Sequence, residues 1–220
     1  MSNCKICGRI TSKIKCSKNN VSYNRCFWCE FISKDDEFIV SEKEELKTYN
    51  NHNNSIDDFK YVKYFKEFID ATIMPYIKFG SVLDFGNGPS PVLRQILERD
   101  YDFKVDIYDH YYQPQKIYKT KKYDLIVCTE VVEHLKDPLY YFKIFQNHLK
   151  KDGYLAITTL FHHNYSDFLL WHYIRDMTHI SFYTPKTMNF IGNQIGFNMI
   201  YHNDCRYVAF KKISEEVNRE

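Results

Sequence analysis

The chain has 220 residues, with 30 basic side chains, 28 acidic side chains and a formal net charge of +2. This length accommodates one large core and a small metal-stapled module, because about 40 residues rarely build a stable core alone. The near balance of charge argues against a dedicated nucleic-acid surface, although it permits a local patch. The short basic run at residues 116–122 is interpreted first as a solvated loop near a sheet edge.

Four cysteines near the amino terminus have the spacing of a zinc ribbon. Cys4 and Cys7 form one CxxC pair, and Cys26 and Cys29 form another after 18 intervening residues. Two such turns supply four thiolates to a tetrahedral zinc ion. The sequence shows neither a signal peptide nor an apolar run that could cross a bilayer, so we expect a cytoplasmic location without membrane partners. A reducing compartment favours metal over a disulfide pair, and reduced structural thiols are the remaining alternative.

The chain after the ribbon is predicted to form a linker and then one large domain. We expect a zinc-ribbon-like module at residues 1–40, a polar linker or flap at 41–58, the main domain at 59–213 and a polar tail at 214–220. Between residues 56 and 79, apolar side chains recur every three or four positions. This spacing predicts a helix that packs on a sheet.

Residues 81–91, SVLDFGNGPSP, are the most informative stretch of the chain. An apolar strand runs into Asp84, and a turn containing Gly86 and Gly88 follows before a helix opens. Glycines in such a turn let backbone N–H groups approach a ligand that a Cβ would push away. Glycine pairs also serve ordinary strand-to-helix turns, so the turn alone is a weak signal.

An acidic residue ends the next predicted strand. Residues 103–109, FKVDIYD, form an apolar run that ends in Asp109, 25 positions after Asp84. An acid in this place presents its carboxylate to ribose hydroxyls in nucleotide-binding sheets. Further buried-strand patterns occupy residues 123–130 and 154–161, and helical spacing occurs at residues 92–99 and 139–150. Strands that alternate with helices predict an α/β domain with a parallel sheet.

These motifs resemble those of the class I S-adenosylmethionine-dependent methyltransferases over residues 59–212. LDFGNGPSP is similar to that family's first motif, IYD to its second, TEVVEHLKDP to the segment after its fourth strand, and KKDGYLAITT to its fifth-strand motif. The resemblance implies a Rossmann-like, mostly parallel sheet with an antiparallel closing strand. It implies that S-adenosylmethionine is the cofactor, that Gly86 and Gly88 lie against its methionine end, and that Asp109 holds its ribose. Asp84 and Glu130 complete the expected cofactor-binding set.

The chain departs from the family pattern at two places. Ser90 stands at the third glycine of the first motif, and residues 109–122 are too short for a full helix and strand. We therefore expect an abbreviated third unit. A subgroup with LDFGSGPGP-like turns and WHYxxDxTHVxFF-like late segments is more similar still. Tyr49, His52 and Asn54 match positions of that subgroup, where they form either a flap over the cofactor or a hydrogen-bonded loop.

The expected catalytic residues follow the fourth and fifth strands. A sulfonium is already a reactive methyl donor, so the protein must align donor and acceptor and, for a weak nucleophile, remove a proton. Glu130 and His134 are four positions apart at the fourth-strand exit, where they can share one face. His179 comes from a loop after the fifth strand. We predict that His179, Glu130 and His134 are catalytic.

Two interpretations of this cluster remain open. In the first, Glu133 and His134 orient the loop through hydrogen bonds. In the second, Glu130, Glu133, His134 and His179 bind a second divalent cation. The pattern EVVEH with a later histidine is similar to that of the small-RNA 3′-end 2′-O-methyltransferases, which use such a metal. Two carboxylates and two imidazoles suit Mn²⁺ or Fe²⁺ better than Mg²⁺.

Trp171, Tyr173 and Asp176 form the least generic late segment and are predicted to border an acceptor pocket. The alternative is that Trp171 fills a helix–sheet interface and that Asp176 begins a turn. The sequence thus predicts methyl transfer to an oxygen or nitrogen atom of a small-molecule acceptor. An RNA or protein methyltransferase that docks its substrate through the ribbon is one alternative. A catalytically silent cofactor-binding scaffold is the other.

Overall fold

The computed structural model describes residues 2–17, 20–51, 54–163 and 165–213. The predicted polar tail and His52 lie outside the described residues. In the described part of the chain, no helix is both long enough and apolar enough to cross a membrane.

Ten strands and six helices make up the regular structure of these residues. The strands are β1 (Ser12–Lys15), β2 (Ser22–Arg25), β3 (Ile32–Lys34), β4 (Phe79–Phe85), β5 (Asp102–Tyr108), β6 (Tyr123–Thr129), β7 (Leu149–Thr158), β8 (Ser181–Phe182), β9 (Phe197–His202) and β10 (Tyr207–Lys212). The helices are α1 (Glu42–Tyr49), α2 (Phe59–Thr72), α3 (Val92–Asp100), α4 (Pro138–His148), α5 (Tyr165–Phe168) and α6 (Pro185–Ile195).

The main sheet has six strands in the order β5-β4-β6-β7-β10-β9. The first four strands are parallel, and β10 runs antiparallel to both of its neighbours. Between β5 and β6 the chain forms a single 3₁₀ turn, Ile117–Thr120, in place of a helix and a strand. The predicted fold class is therefore confirmed, and the third unit is abbreviated as expected.

Helices cover both faces of this sheet. On one face Phe68 of α2 and Ile96 of α3 pack against Val82 and Val127. On the other face Phe145 of α4 packs with Leu83 and other alternate strand residues, together with α6. Successive strand residues point to opposite faces, so a strand buried on both sides reads as a continuous apolar run. This burial explains why the strands were recognisable in the sequence.

The amino-terminal strands form a second, antiparallel sheet in the order β1-β2-β3-β8. Its last member, β8, comes from the far end of the chain and pairs Phe182 with Ile32 of β3. Cys29 and Phe31 belong to the same apolar cluster as Leu83 of the main sheet and Phe145 of α4. The ribbon region is thus joined to the rest of the protein by the pairing of β3 with β8, and to the main sheet by a shared core.

A helix lies within the predicted linker. Ser41 caps α1, because its hydroxyl accepts from the backbone N–H of Glu44 while the Glu44 carboxylate accepts from the backbone N–H of Ser41. The S-x-x-E pattern is a signal for this capping box. It was missed because α1 has no buried residue and therefore no apolar stripe.

Two other boundaries differ from the prediction. The helix expected up to residue 79 ends at Thr72. Pro75 follows, and proline has no N–H for a helix and disfavours the helical conformation of the residue before it. The helix expected up to residue 150 ends at His148, because β7 already begins at Leu149.

Candidate functional site

A cavity of about 1140 Å³ opens where the parallel strands end. Cavities that bind small ligands usually measure about 300–1,000 Å³, so this one has room for a cofactor and a second molecule. Open parallel sheets bind their ligands at this edge. The cavity is bordered by all five predicted cofactor-binding residues and all three predicted catalytic residues: Asp84, Gly86, Gly88, Asp109, Glu130, His134 and His179.

The glycine turn after β4 needs glycine for two reasons. Gly86 and Gly88 have φ values of +88° and +66°, a region that side chains rarely adopt. A Cβ on Gly86 would collide with the side chain of Val131. At Gly88 the corresponding position is open space, so a side chain there would occupy the cavity instead. The turn therefore leaves its backbone accessible to a bound ligand.

The carboxylate of Asp109 organises the loop beside this turn. Its Oδ2 accepts from the backbone N–H of Gly88 at 2.9 Å, and its Oδ1 accepts from those of Tyr111 and Tyr112 at 2.8 and 3.0 Å. A carboxylate has about four acceptor positions, so one remains for a ligand hydroxyl. The same acid thus shapes the turn and faces the cavity.

Asp84 is 1% exposed, and neither of its carboxylate oxygens has a hydrogen-bond partner among the described residues. Burial, with a further contribution from Asp109, raises the pKa of Asp84 to about 7. A buried polar group without a partner is costly. Because Asp84 borders the cavity, a donor group of a bound ligand can satisfy it.

Glu130 follows β6 in a strained backbone conformation with a φ of +51°. Its Oε1 accepts from the Tyr64 hydroxyl at 2.9 Å and from the Thr158 hydroxyl at 2.6 Å. Its Oε2 lies 3.1 Å from the Tyr173 hydroxyl. Glu130 therefore connects α2, β7 and the turn at His172–Arg175, which carries Tyr173, beside the cavity.

Glu133, His134 and His179 converge next to Glu130, and one ligand atom from each lies within 4.8 Å of the others. Glu133 is fully buried, and the Tyr173 hydroxyl donates to its Oε1 at 2.5 Å. The other oxygen, Oε2, has no hydrogen-bond partner within the described part of the chain. Burial, reinforced by Glu130, raises the pKa of Glu133 well above its usual range.

Hydrogen bonds to the backbone determine the tautomers of both histidines. His134 Nδ1 lies 3.1 Å from the Thr178 carbonyl, and His179 Nδ1 lies 2.8 Å from the Tyr173 carbonyl. A carbonyl only accepts, so Nδ1 carries the proton and Nε2 keeps its lone pair. Burial lowers the pKa of His179, although Asp176 opposes this effect. A neutral imidazole of this kind is suited to accept a proton.

The three predicted acceptor-pocket residues occupy different places. Asp176 borders the cavity, and its Oδ1 accepts from the N–H and hydroxyl of Thr178. Tyr173 is 7% exposed and lies behind Glu130 and Glu133 instead of on the cavity wall. Trp171 borders a second cavity of about 470 Å³, next to Phe168.

Tyrosines that sequence reasoning did not single out border much of the main cavity. They are Tyr61, Tyr64, Tyr108, Tyr111, Tyr112, Tyr140 and Tyr141, in addition to the proposed flap residue Tyr49. The hydroxyls of Tyr49 and Tyr111 both donate to Glu45 of α1, at 2.6 and 2.7 Å. The hydrogen bond from Tyr111 to Glu45 ties α1 to the loop after β5, and α1 borders the cavity. A high tyrosine content of 19 was the only sequence signal, and it does not identify positions.

The four amino-terminal cysteines come together as their spacing predicted. Their sulfur atoms lie within 4.8 Å of one another, with Cys4–Cys29 at 3.5 Å and Cys7–Cys26 at 3.3 Å. Tetrahedral zinc with bonds of about 2.3 Å places its sulfur ligands about 3.8 Å apart, so the donor set fits this metal. Cys16 is not part of this group.

A family model described as a methyltransferase domain matches residues 42–202. The chain belongs to this methyltransferase family. The predicted enzyme class, an S-adenosylmethionine-dependent methyltransferase, is confirmed by this membership. A search of curated proteins finds no match.

Solved structures with a similar fold are also methyltransferases. One is a 1,6-didemethyltoxoflavin-N1-methyltransferase from Burkholderia thailandensis with bound 1,6-didemethyltoxoflavin and S-adenosylhomocysteine. Its TM-score is 0.56 at 11% identity, covering 93% of this chain and 100% of that one. Another is an O-methyltransferase family protein from Burkholderia thailandensis, with a TM-score of 0.51 at 14% identity, covering 82% of this chain and 67% of that one. At these identities the likeness establishes the fold of the methyltransferase.

Proposed function

We propose that this methyltransferase transfers a methyl group to an oxygen or nitrogen atom of a small molecule that binds beside the cofactor. The observation that carries the proposal is that one cavity, of about 1140 Å³, is bordered both by the glycine turn and by His134 and His179. Two structurally similar proteins, named as an N1-methyltransferase and an O-methyltransferase family protein, are in keeping with a small acceptor.

In this proposal the cofactor lies along the ends of β4 and β5. The turn at Gly86 and Gly88 approaches its methionine part, and the remaining acceptor position of Asp109 receives a ribose hydroxyl. Asp84, whose oxygens lack protein partners among the described residues, accepts from the cofactor's ammonium group. When bound, S-adenosylmethionine supplies an electrophilic methyl group.

The acceptor is proposed to lie on the side of His179. The lone pair of His179 Nε2 takes the proton of the acceptor O–H or N–H group, while the Nδ1–H remains bonded to the Tyr173 carbonyl. The ring of His134 lies next to it, with 4.8 Å between ring centroids. Glu130, whose own backbone is strained, lies in the turn between the cofactor site and the two histidines.

A labelling assay tests this function. The full-length protein with radiolabelled S-adenosylmethionine is offered a panel of small-molecule alcohols, phenols and amines, and in parallel total RNA and a protein lysate. We expect label in a small molecule, lost in His179→Ala while binding of S-adenosylhomocysteine persists. His172→Ala, at the second cavity, is the matched control. Label that appears only in RNA or protein would contradict the small-molecule assignment.

We propose in addition that Cys4, Cys7, Cys26 and Cys29 hold a structural zinc ion. The distances between the four sulfur atoms support this assignment. The division into a ribbon at residues 1–40, a flap at 41–58 and a catalytic region at 59–213 is retained as part of the proposal. The cytoplasmic location stays a prediction.

A metal-assisted reaction is the second candidate function. Metal-binding histidines usually donate their other N–H to a carbonyl or carboxylate, as His134 and His179 do here. Together with Glu133 they offer two imidazoles and one carboxylate to a divalent cation. Glu130 is not in that group, and its carboxylate accepts from three hydroxyl groups instead. This candidate requires that activity vanish with EDTA and return with Mn²⁺ while the ribbon zinc is retained.

A further inference from the structure

Residues 176–183, which carry Asp176 and His179, are held along both edges. On one edge, the Ile180 N–H donates to the Glu133 carbonyl at 2.8 Å, and the Ser181 hydroxyl donates to the Leu135 carbonyl at 2.7 Å. On the other edge, the Ile180 carbonyl accepts from the Lys34 N–H at 2.8 Å. This segment therefore lies between the turn after β6 and the last strand of the ribbon.

The side chain of Lys34 makes a further contact with this segment. Its Nζ donates to the Met177 carbonyl at 2.6 Å, next to Asp176. Lys34 is 1% exposed, which is unusual for a lysine. Burial lowers its pKa to about 8 against an opposing effect of Asp176, so it is largely charged at neutral pH.

A buried ammonium group costs free energy that an apolar side chain in β3 would avoid. We therefore expect the buried ammonium group of Lys34 to make a specific contact that offsets this cost. The contact it makes is with the carbonyl two positions before His179, and Asp176 supplies the compensating charge.

We infer that Lys34 is a positioning residue that, together with the pairing of β3 and β8, lets the cysteine ribbon set the geometry of Asp176 and His179 in the active site. The inference rests on the proposed role of His179. The ribbon then acts on catalysis through three residues: Lys34, Met177 and His179. The backbone and side-chain hydrogen bonds of Lys34 lead to Ile180 and Met177 and not to the glycine turn, so we expect cofactor affinity to change little when Lys34 is replaced.

The geometry also connects the ribbon metal to this segment. Cys29 lies three residues before β3, and its carbonyl accepts from the Thr187 hydroxyl at 2.8 Å. The Cys26 N–H donates to the Phe31 carbonyl at 2.9 Å, which closes the turn that leads into β3. A metal that fixes this turn therefore fixes the strand to which the His179 segment is bound.

Lys34→Met tests the inference, because it keeps an unbranched stem and removes the charge and the donors. We expect amide hydrogen exchange at residues 178–181 to accelerate by about tenfold. We also expect the His179 ring nitrogen signals in NMR to lose the single Nδ1–H tautomer, and S-adenosylhomocysteine affinity to stay within about twofold. Lys34→Arg keeps a charged donor and should retain more of the protection.

Lys13→Met is the matched control, because this ribbon lysine is 57% exposed and binds Asp35 at the surface. Unchanged exchange and unchanged His179 ring signals in Lys34→Met would overturn the inference. If Lys34→Met fails to fold, the ribbon metal is chelated in the wild-type protein as the second test. Protection from amide hydrogen exchange must then fall at residues 176–182 and stay unchanged in β4. A wild-type protein that does not bind S-adenosylhomocysteine would instead refute the proposed function and leave the exchange comparison valid.

Discussion

The hydroxyl of Tyr173 donates to Glu133 Oε1 at 2.5 Å, inside the protein and behind the cavity wall. The same hydroxyl lies 3.1 Å from Glu130 Oε2. One phenol therefore sits between two carboxyl groups that would otherwise face each other. Tyr173, which was expected to border an acceptor pocket, is instead buried against these two carboxyl groups.

Tyr173→Phe should destabilise the protein by about 1–3 kcal/mol, because it leaves buried carboxyl oxygens without a donor. Urea unfolding monitored by circular dichroism measures the loss. Tyr76→Phe is the matched control, since the Tyr76 hydroxyl makes a longer bond of 3.3 Å to the Ile200 carbonyl away from the cavity. Equal stability of the two variants would contradict the proposed role of Tyr173.

Asp109→Asn should weaken the binding of S-adenosylhomocysteine by at least about tenfold, since charge-assisted hydrogen bonds contribute about 1.5–3 kcal/mol each. An amide group also cannot accept on both sides from Gly88, Tyr111 and Tyr112. Isothermal calorimetry gives the affinity. Asp102→Asn, at the exposed opposite end of β5, should leave it unchanged. Undiminished binding by Asp109→Asn would remove the ribose assignment.

The raised pKa of Asp84 predicts how stability depends on pH. The unfolded carboxyl titrates near about 3.9, whereas burial and Asp109 raise the folded pKa to about 7. Between these values the folded state binds more protons than the unfolded state, so stability falls as the pH rises from about 4 to about 7. The pKa of Glu133, which burial also raises, contributes to the pH dependence of stability in the same direction.

Asp84→Asn should remove this decline in the protein without cofactor. We expect the variant to gain stability over wild type at pH 7.5 and to gain little at pH 4.5. Urea unfolding at the two pH values measures the difference, with Asp106→Asn, on the neighbouring strand, as control. The prediction is contradicted if the free energy of unfolding of the wild-type protein rises from pH 4.5 to pH 7.5 and changes by the same amount in Asp84→Asn. That result would show that Asp84 is ionised in the folded protein.

Elemental analysis of protein purified without chelator should give one zinc ion per chain. Cys26→Ser should lower the zinc content and Cys205→Ser, an exposed cysteine outside the cluster, should not. Because Cys29 and Phe31 share a core with the main sheet, metal loss should also lower the melting temperature of the whole protein. A zinc-free wild-type protein of full stability would refute the metal assignment.

Local patterns made much of the fold and the glycine turn predictable. The strands buried on both faces appear as apolar runs, and the turn at Gly86 and Gly88 needs a backbone conformation that only glycine adopts readily. Asp109 follows from its place at the end of the second strand. Helix α1 was not found, since a polar helix has a capping signal but no apolar stripe.

The contacts around Glu133 and His179 were determined only by the tertiary structure. Lys34 and Met177 are 143 positions apart, and Tyr173 meets Glu133 across 40 positions, so no local periodicity connects them. The sequence by itself determined the methyltransferase fold, the glycine turn and the cysteine ribbon, because each depends on spacing within a short segment. The pairing of distant strands, such as β3 with β8, decides which loop faces the cavity and brings the ribbon into contact with the His179 segment. Pairing between distant segments leaves no periodic pattern in the sequence of either segment.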